Sequence, residues 1–115
     1  MTREIKRGDV FYVFNESADE KAKCEQAGIR PAVVLQNDVG NHFSPTIIVA
    51  YISSKPKKRM PTHVHTVATP RPSIVMCEQI ATISKERLRE YVCHFSDSTM
   101  KEIDTALAVS LGLKN

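Results

Sequence analysis

The sequence predicts a mainly β domain that ends in a helix, and two observations point that way. Residues 30–37 read Arg-Pro-Ala-Val-Val-Leu-Gln-Asn and residues 46–53 read Thr-Ile-Ile-Val-Ala-Tyr-Ile-Ser, two β-branched runs divided by a short polar loop. Near the C-terminus the period changes: Met100, Ile103, Leu107 and Leu111 recur at helical spacing, with Asp97 or Ser98 as a cap and Gly112 where a helix stops.

The other elements follow in order. Asp9 to Phe14 reads Asp-Val-Phe-Tyr-Val-Phe, a first strand, with Gly8 before it suited to a turn or bulge. Residues 15–28 carry Glu16, Asp19, Glu20, Lys21, Lys23 and Glu25 and almost no large apolar side chain, so a mobile loop with room for a helical turn is expected there, of the kind that often serves as a lid on a small barrel. Residues 55–61 are basic and bounded by prolines, residues 62–69 alternate weakly, and residues 73–79 form another strand. Residues 86–95 fit helix and strand equally.

Composition narrows the setting. A chain of 115 residues is one domain with room for a core. No apolar run approaches the roughly 20 residues of a membrane helix, and the polar start is unlike a signal peptide, so a cytoplasmic protein is expected. Cys24, Cys77 and Cys93 are odd in number and lack Cys-x-x-Cys spacing, which favours reduced thiols over disulfides or a zinc ribbon. A net charge of +3 permits a polyanionic partner without requiring one.

The two central runs each carry a polar residue at one end, Arg30 before the first and Ser53 closing the second. As antiparallel neighbours joined by a turn around Gly40 and Pro45, they would bring a guanidinium and a hydroxyl to one rim of a sheet. Such a pair suits a phosphodiester, because the planar guanidinium fork binds phosphate oxygens and the hydroxyl donates or accepts beside it.

Several ordered motifs then coincide: residues 6–10 (Lys-Arg-Gly-Asp-Val), 30–38 (Arg-Pro-Ala-Val-Val-Leu-Gln-Asn-Asp), Asn41 with Ser44-Pro45-Thr46, Pro61-Thr62-His63-Val64, and Glu78-Gln79-Ile80 with Thr82-Ile83. Nearly end to end, this set resembles the MazF/PemK toxins of bacterial toxin and antitoxin pairs. The resemblance implies an SH3-like β-barrel with helices, a homodimer, and a metal-independent endoribonuclease that cuts single-stranded RNA at short sequences, with U-A-C-A-U as the type of site. It also implies a cognate antitoxin whose acidic, disordered C-terminal segment folds over the toxin.

Cleavage of RNA without a metal ordinarily uses the neighbouring 2′-hydroxyl as nucleophile, and needs proton removal, proton donation and charge stabilisation. Arg30 matches the family's catalytic arginine and Ser53 its catalytic Thr or Ser. Because an arginine stays protonated at neutral pH, Arg30 is assigned phosphate binding and proton donation. Glu78 is a candidate base: some relatives read Arg-Cys-Asp-Gln where this chain has Met76-Cys77-Glu78-Gln79, so the acid is kept and the arginine lost. Alternation sets Met76 and Glu78 on one face and Cys77 and Gln79 on the other, and Glu78 fits a structural role equally well. For RNA binding the candidates are Arg7, Asn37, Lys55, Lys57, Lys58, Arg59 and Gln79, whose amide suits a base edge.

Other residues have plainer readings. His63 and His65 would share a strand face, yet no third ligand at site-like spacing accompanies them, so no metal or other cofactor is expected. His42 and His94 read as solvated or capping residues, and Cys77 as a small buried hydrophobe. Two further functions share the expected fold. Gyrase poisons of this shape end in a Trp-Gly-Ile tail, whereas this chain has no tryptophan and ends Leu113-Lys114-Asn115. A non-catalytic RNA-binding barrel is disfavoured only by the Arg30 and Ser53 pair.

Overall fold

The computed structural model describes residues 4–15 and 28–113. Its strands are β1 (Asp9–Asn15), β2 (Gly28–Val34), β3 (Thr46–Ser53), β4 (His63–Thr66), β5 (Ser73–Ser84) and β6 (Leu88–His94), and its helices are α1 (Asp38–Phe43) and α2 (Asp97–Leu111). One antiparallel sheet in the order β4-β5-β3-β2-β1-β6 curls into a half-barrel. The expected loop over residues 15–28 lies outside the described residues except at its ends, Asn15 and Gly28, which close β1 and open β2.

Both faces of the sheet are covered, which explains why the central runs are almost continuously apolar instead of alternating. On one face Val10, Val33, Ala50, Ile52, Val75 and Phe95 pack with Met100, Ile103 and Ala106 of α2. On the other, Phe11, Val13, Ala32, Val34, Val49, Tyr51 and Met76 form a second cluster. Within α2 the buried positions are Met100, Ile103, Ala106 and Ala108. Leu107 is only half-buried and Leu111 is 58% exposed, so the apolar stripe expected to run on to Leu111 leaves the sheet a turn early.

The helix ends have clear causes. Ser96, with extended backbone, accepts the Thr99 N–H on its Oγ at 3.2 Å, one residue ahead of the expected caps. Gly112 takes a left-handed conformation (φ 72°), and the Leu113 N–H returns to the Ala108 carbonyl at 2.8 Å, a Schellman closure. The polar loop before β3 contains α1, because Asn37 Oδ1 accepts the Gly40 N–H at 2.8 Å and starts a helical turn where a simple turn was expected. Residues 86–95 resolve as a 3-10 turn (Lys85–Arg87) leading into β6.

β5 carries the main irregularity. Ala50 pairs with Ile80 while Ile52 pairs with Val75, so residues 76–79 bulge out opposite Tyr51, and the Cys77 N–H turns to the Thr62 carbonyl at 2.9 Å. At the far end His94 Nδ1 meets Asp9 Oδ1 at 2.8 Å and ties β6 to β1, a role that the sequence does not announce for this histidine.

Candidate active site

β2 and β3 are direct antiparallel neighbours, with Ala32 opposite Tyr51 and Val33 opposite Ala50. Continued two residues toward the strand ends, this register sets Arg30 across from Ser53. Both line one cavity of about 510 Å³, together with Tyr12, Lys55, Thr69 and Arg71. Ser53 is buried, and its Oγ accepts the Lys55 N–H at 3.2 Å, which fixes the hydroxyl while leaving its proton and a lone pair for a ligand. The turn that brings Arg71 here is held by Thr69, whose Oγ1 donates to the Arg71 carbonyl at 2.6 Å.

A second cavity of about 550 Å³, lined by Lys55, Lys57, His65, Val67 and Pro72 among others, shares Ser54, Lys55 and Ser73 with the first. Lys55 and Lys57 therefore face the site region, whereas Lys58 and Arg59 are exposed and line neither cavity.

Tyr51, two residues before Ser53, is buried and donates its hydroxyl to Asn15 Oδ1 at 2.9 Å. Burial pushes its pKa up; the hydrogen bond to Asn15 and the charges of Arg87 and Arg30 oppose that rise. Two guanidiniums thus act on one buried hydroxyl.

Three candidate residues are engaged elsewhere. Arg7 donates its backbone N–H to Asp38 Oδ1, Nε to the Leu35 carbonyl and Nη2 to Asp104 Oδ1, each at 2.7 Å, so its guanidinium clamps α2 to the end of β2. Asn37 spends its side-chain oxygen on the α1 cap. Glu78 lines neither cavity: Thr62 Oγ1 donates to its Oε1 at 2.8 Å, and His63 Nε2 lies 2.9 Å from its Oε2. Burial pushes the Glu78 pKa up, but the hydrogen bonds from His63, Thr62 and its own backbone, with the charge of His63, carry it below the ordinary glutamate value. These contacts fit the structural role that the sequence leaves open beside a catalytic one. The bulge also spoils the simple alternation expected for residues 76–79.

Gln79 is half-buried and its Oε1 is buried without a hydrogen-bond partner, an acceptor still to be satisfied. Cys77 is fully buried, and burial, with the Glu78 charge next to it, pushes its thiol up to about 11, which removes it as a nucleophile. His63 is taken by Glu78 instead of pairing with His65, and among the described residues no group of three or more His, Cys, Asp or Glu is placed to hold a metal ion. Sequence reasoning passed over Tyr12, Thr69, Arg71, Tyr51 and Arg87. Only Arg71, between Pro70 and Pro72, carried a signal in its neighbours; the rest are recognisable by position alone.

A curled antiparallel sheet with a helix on one face and a cavity lined by cations and hydroxyls at its rim defines a small toxin-like fold. The chain belongs to the family described as PemK-like, MazF-like toxin of type II toxin-antitoxin system, whose family model matches residues 6–111. It is 43% identical over 114 residues to Endoribonuclease EndoA of Bacillus subtilis, covering 95% of this chain and 96% of that protein. Among solved structures, MazF from Deinococcus radiodurans superposes with a TM-score of 0.80 at 19% identity, covering 97% of this chain and 100% of the other. An endoribonuclease in complex with its cognate antitoxin, from a mycobacterial species, matches with a TM-score of 0.79 at 25% identity over 96% of this chain and 98% of that one.

Proposed function

We propose that this endoribonuclease toxin cuts single-stranded RNA at short sequences without a metal ion, by attack of the 2′-hydroxyl on the adjacent phosphorus. The observation that carries the reading is the placement of Arg30 and Ser53 on one cavity, across a β2–β3 register that leaves them opposite one another. Arg30 binds the scissile phosphate, stabilises charge that builds on its oxygens, and donates a proton toward the leaving 5′-oxygen. Ser53, held by the Lys55 N–H, orients the phosphate or the attacking hydroxyl. The products are a cyclic phosphate and a free 5′-hydroxyl.

Specificity falls to Lys55 and Lys57, which line the cavities, and to Gln79, which lines neither but holds a buried side-chain oxygen with no hydrogen-bond partner. The protein works as a homodimer, and a cognate antitoxin silences it by laying an acidic segment over the same cations. No helix among the described residues is long and apolar enough to cross a membrane.

The test is incubation with a long single-stranded RNA in excess EDTA, with both ends of each product mapped. Cuts at one short sequence, leaving cyclic phosphate and 5′-hydroxyl ends, support the reading. Loss of activity in EDTA, or 5′-phosphate ends, would overturn the metal-free mechanism, and gyrase inhibition without RNA cleavage would place the chain with the gyrase poisons.

A further inference from the structure

Beside the cavity, at the end of β1, lies a cluster that catalysis by Arg30 and Ser53 does not use. Asn15 Oδ1 is occupied by the Tyr51 hydroxyl, while Asn15 Nδ2 is buried with no acceptor. The Arg87 guanidinium reaches the neighbouring carbonyl, that of Phe14, at 3.4 Å, and Arg89 lies over the Phe14 ring at 5.3 Å. Among the described residues no carboxylate pairs with Arg30, Arg87 or Arg89. Arg30 enters from the adjoining strand, where it pairs with Val13 of β1, two residues from Asn15.

An orphaned buried amide donor is costly, and the like charges of Arg30 and Arg87, both acting on the Tyr51 hydroxyl, have no anion between them among the described residues. An anionic oxygen ligand relieves both. We infer that Arg87 and the side-chain amide of Asn15, the latter held in place by Tyr51, form a second phosphate subsite that takes a backbone phosphate of the RNA next to the one being cut. The inference rests on the RNA-cleaving reading above, because that reading places a chain of phosphodiesters alongside Arg30. Tyr51 is a positioning residue here: its hydroxyl occupies Asn15 Oδ1 and so holds the amide with its buried N–H₂ group unsatisfied. Arg87 is a binding residue that touches a phosphate remote from the reacting atoms.

Phosphate contacts leave a specific signature, since each one neutralised on a single strand adds about 0.7 to the slope of log affinity against log salt. The experiment measures that slope by fluorescence anisotropy, with a labelled single-stranded RNA spanning the mapped cut site and carrying a 2′-deoxy nucleotide at the cut. Arg87→Ala, and Arg87→Gln, which keeps a donor for the Phe14 carbonyl, should each bind about tenfold more weakly and lower the slope by about 0.7. Arg87→Lys should keep the slope. In cleavage assays KM should rise while kcat stays within about threefold, as expected when binding shared by ground and transition states is lost. Tyr51→Phe should weaken binding with the slope retained, because it removes no charge.

A purely structural Arg87 predicts a lower melting temperature with an unchanged slope, and that result would overturn the subsite. Retention of the full slope by both the alanine and the glutamine variants, while the parent protein binds and cuts, would refute the subsite and leave the nuclease reading standing. Failure of the parent protein to bind or cut RNA would sink both.

Discussion

Arg30 and Ser53 line the same cavity at the open end of the β2–β3 pair, where the register, continued two residues past Ala32 and Tyr51, sets them across from one another. Neither is there through sequence proximity. The antiparallel register that matches Ala32 to Tyr51 brings the start of one apolar strand beside the end of the next. A one-residue slip would turn one of them to the opposite face. The apolar clusters on both faces of the sheet therefore fix the site as well as the fold.

The first prediction follows from this pairing. Arg30→Ala should abolish RNA cleavage and Ser53→Ala should slow it about a hundredfold, the usual cost of one oriented hydrogen bond in a transition state. Arg30 is only half-buried at a strand entry, so its variant should melt with the parent protein. Single-turnover cleavage paired with thermal melting checks both. Full activity in Arg30→Ala would remove the assignment.

The second concerns Glu78. Its carboxylate accepts from Thr62 Oγ1 and pairs with His63, whose side chain is 2% exposed. Removing the acceptor in Glu78→Ala strands two buried groups, so a loss of about 1–3 kcal/mol is expected. Because the folded pKa is depressed below the unfolded value, this carboxylate's contribution is fully present above the ordinary glutamate pKa of about 4.3 and is lost as pH falls through the folded value. Glu78→Gln should accordingly flatten the acid limb of stability against pH, read by denaturant titration across roughly pH 3 to 6. A general base would behave otherwise: Glu78→Gln would then abolish cleavage at neutral pH with stability intact.

A third prediction separates structure from binding at Arg7. Its Nε bond to the Leu35 carbonyl and its ion pair with Asp104 fasten α2, although Asp104 is 55% exposed and the pair itself contributes little. Arg7→Ala should cost about 1–2 kcal/mol of stability, mostly through the lost bond to Leu35, and leave the salt dependence of RNA binding untouched. A reduced salt slope would return Arg7 to the RNA interface.

What the sequence made legible depended on whether one element carried the information. The β-branched runs around Val33 and Val49 specify strands by themselves, and Gly112 specifies a helix end by its need for a left-handed backbone. The pairing of Arg30 with Ser53 was legible because two adjacent strands and one turn determine it. Residues 76–79 were not, since a bulge depends on what the partner strand offers, and no local pattern tells Glu78 that Thr62 and His63 will stand beside it. Ser96, Asp97 and Ser98 are all competent caps, and the backbone geometry chose the first. Arg87 and Tyr51 were invisible for the same reason as the bulge: they reach adjacent residues at the end of a third element, Tyr51 the Asn15 side chain and Arg87 the Phe14 carbonyl.

The last prediction concerns the basic loop and the antitoxin. Lys55 and Lys57 line the paired cavities, whereas Lys58 and Arg59 are exposed beyond them. Lys55→Ala and Lys57→Ala should each weaken RNA binding more than Lys58→Ala or Arg59→Ala, since an ammonium at a cavity wall holds a phosphate under less solvent screening than one on an open loop. Under the proposed inhibition, the same cations should attract the carboxylates of an acidic antitoxin segment. A segment that orders on binding covers a wide surface, at an entropic cost that lowers affinity per unit area. Antitoxin and an uncleavable RNA should therefore compete for the toxin, and added salt should weaken both. Competition binding with a labelled RNA checks this: antitoxin should displace it fully, and Lys55→Ala should weaken both ligands together. A stable ternary complex with every RNA and antitoxin site filled would show that inhibition acts from a separate surface.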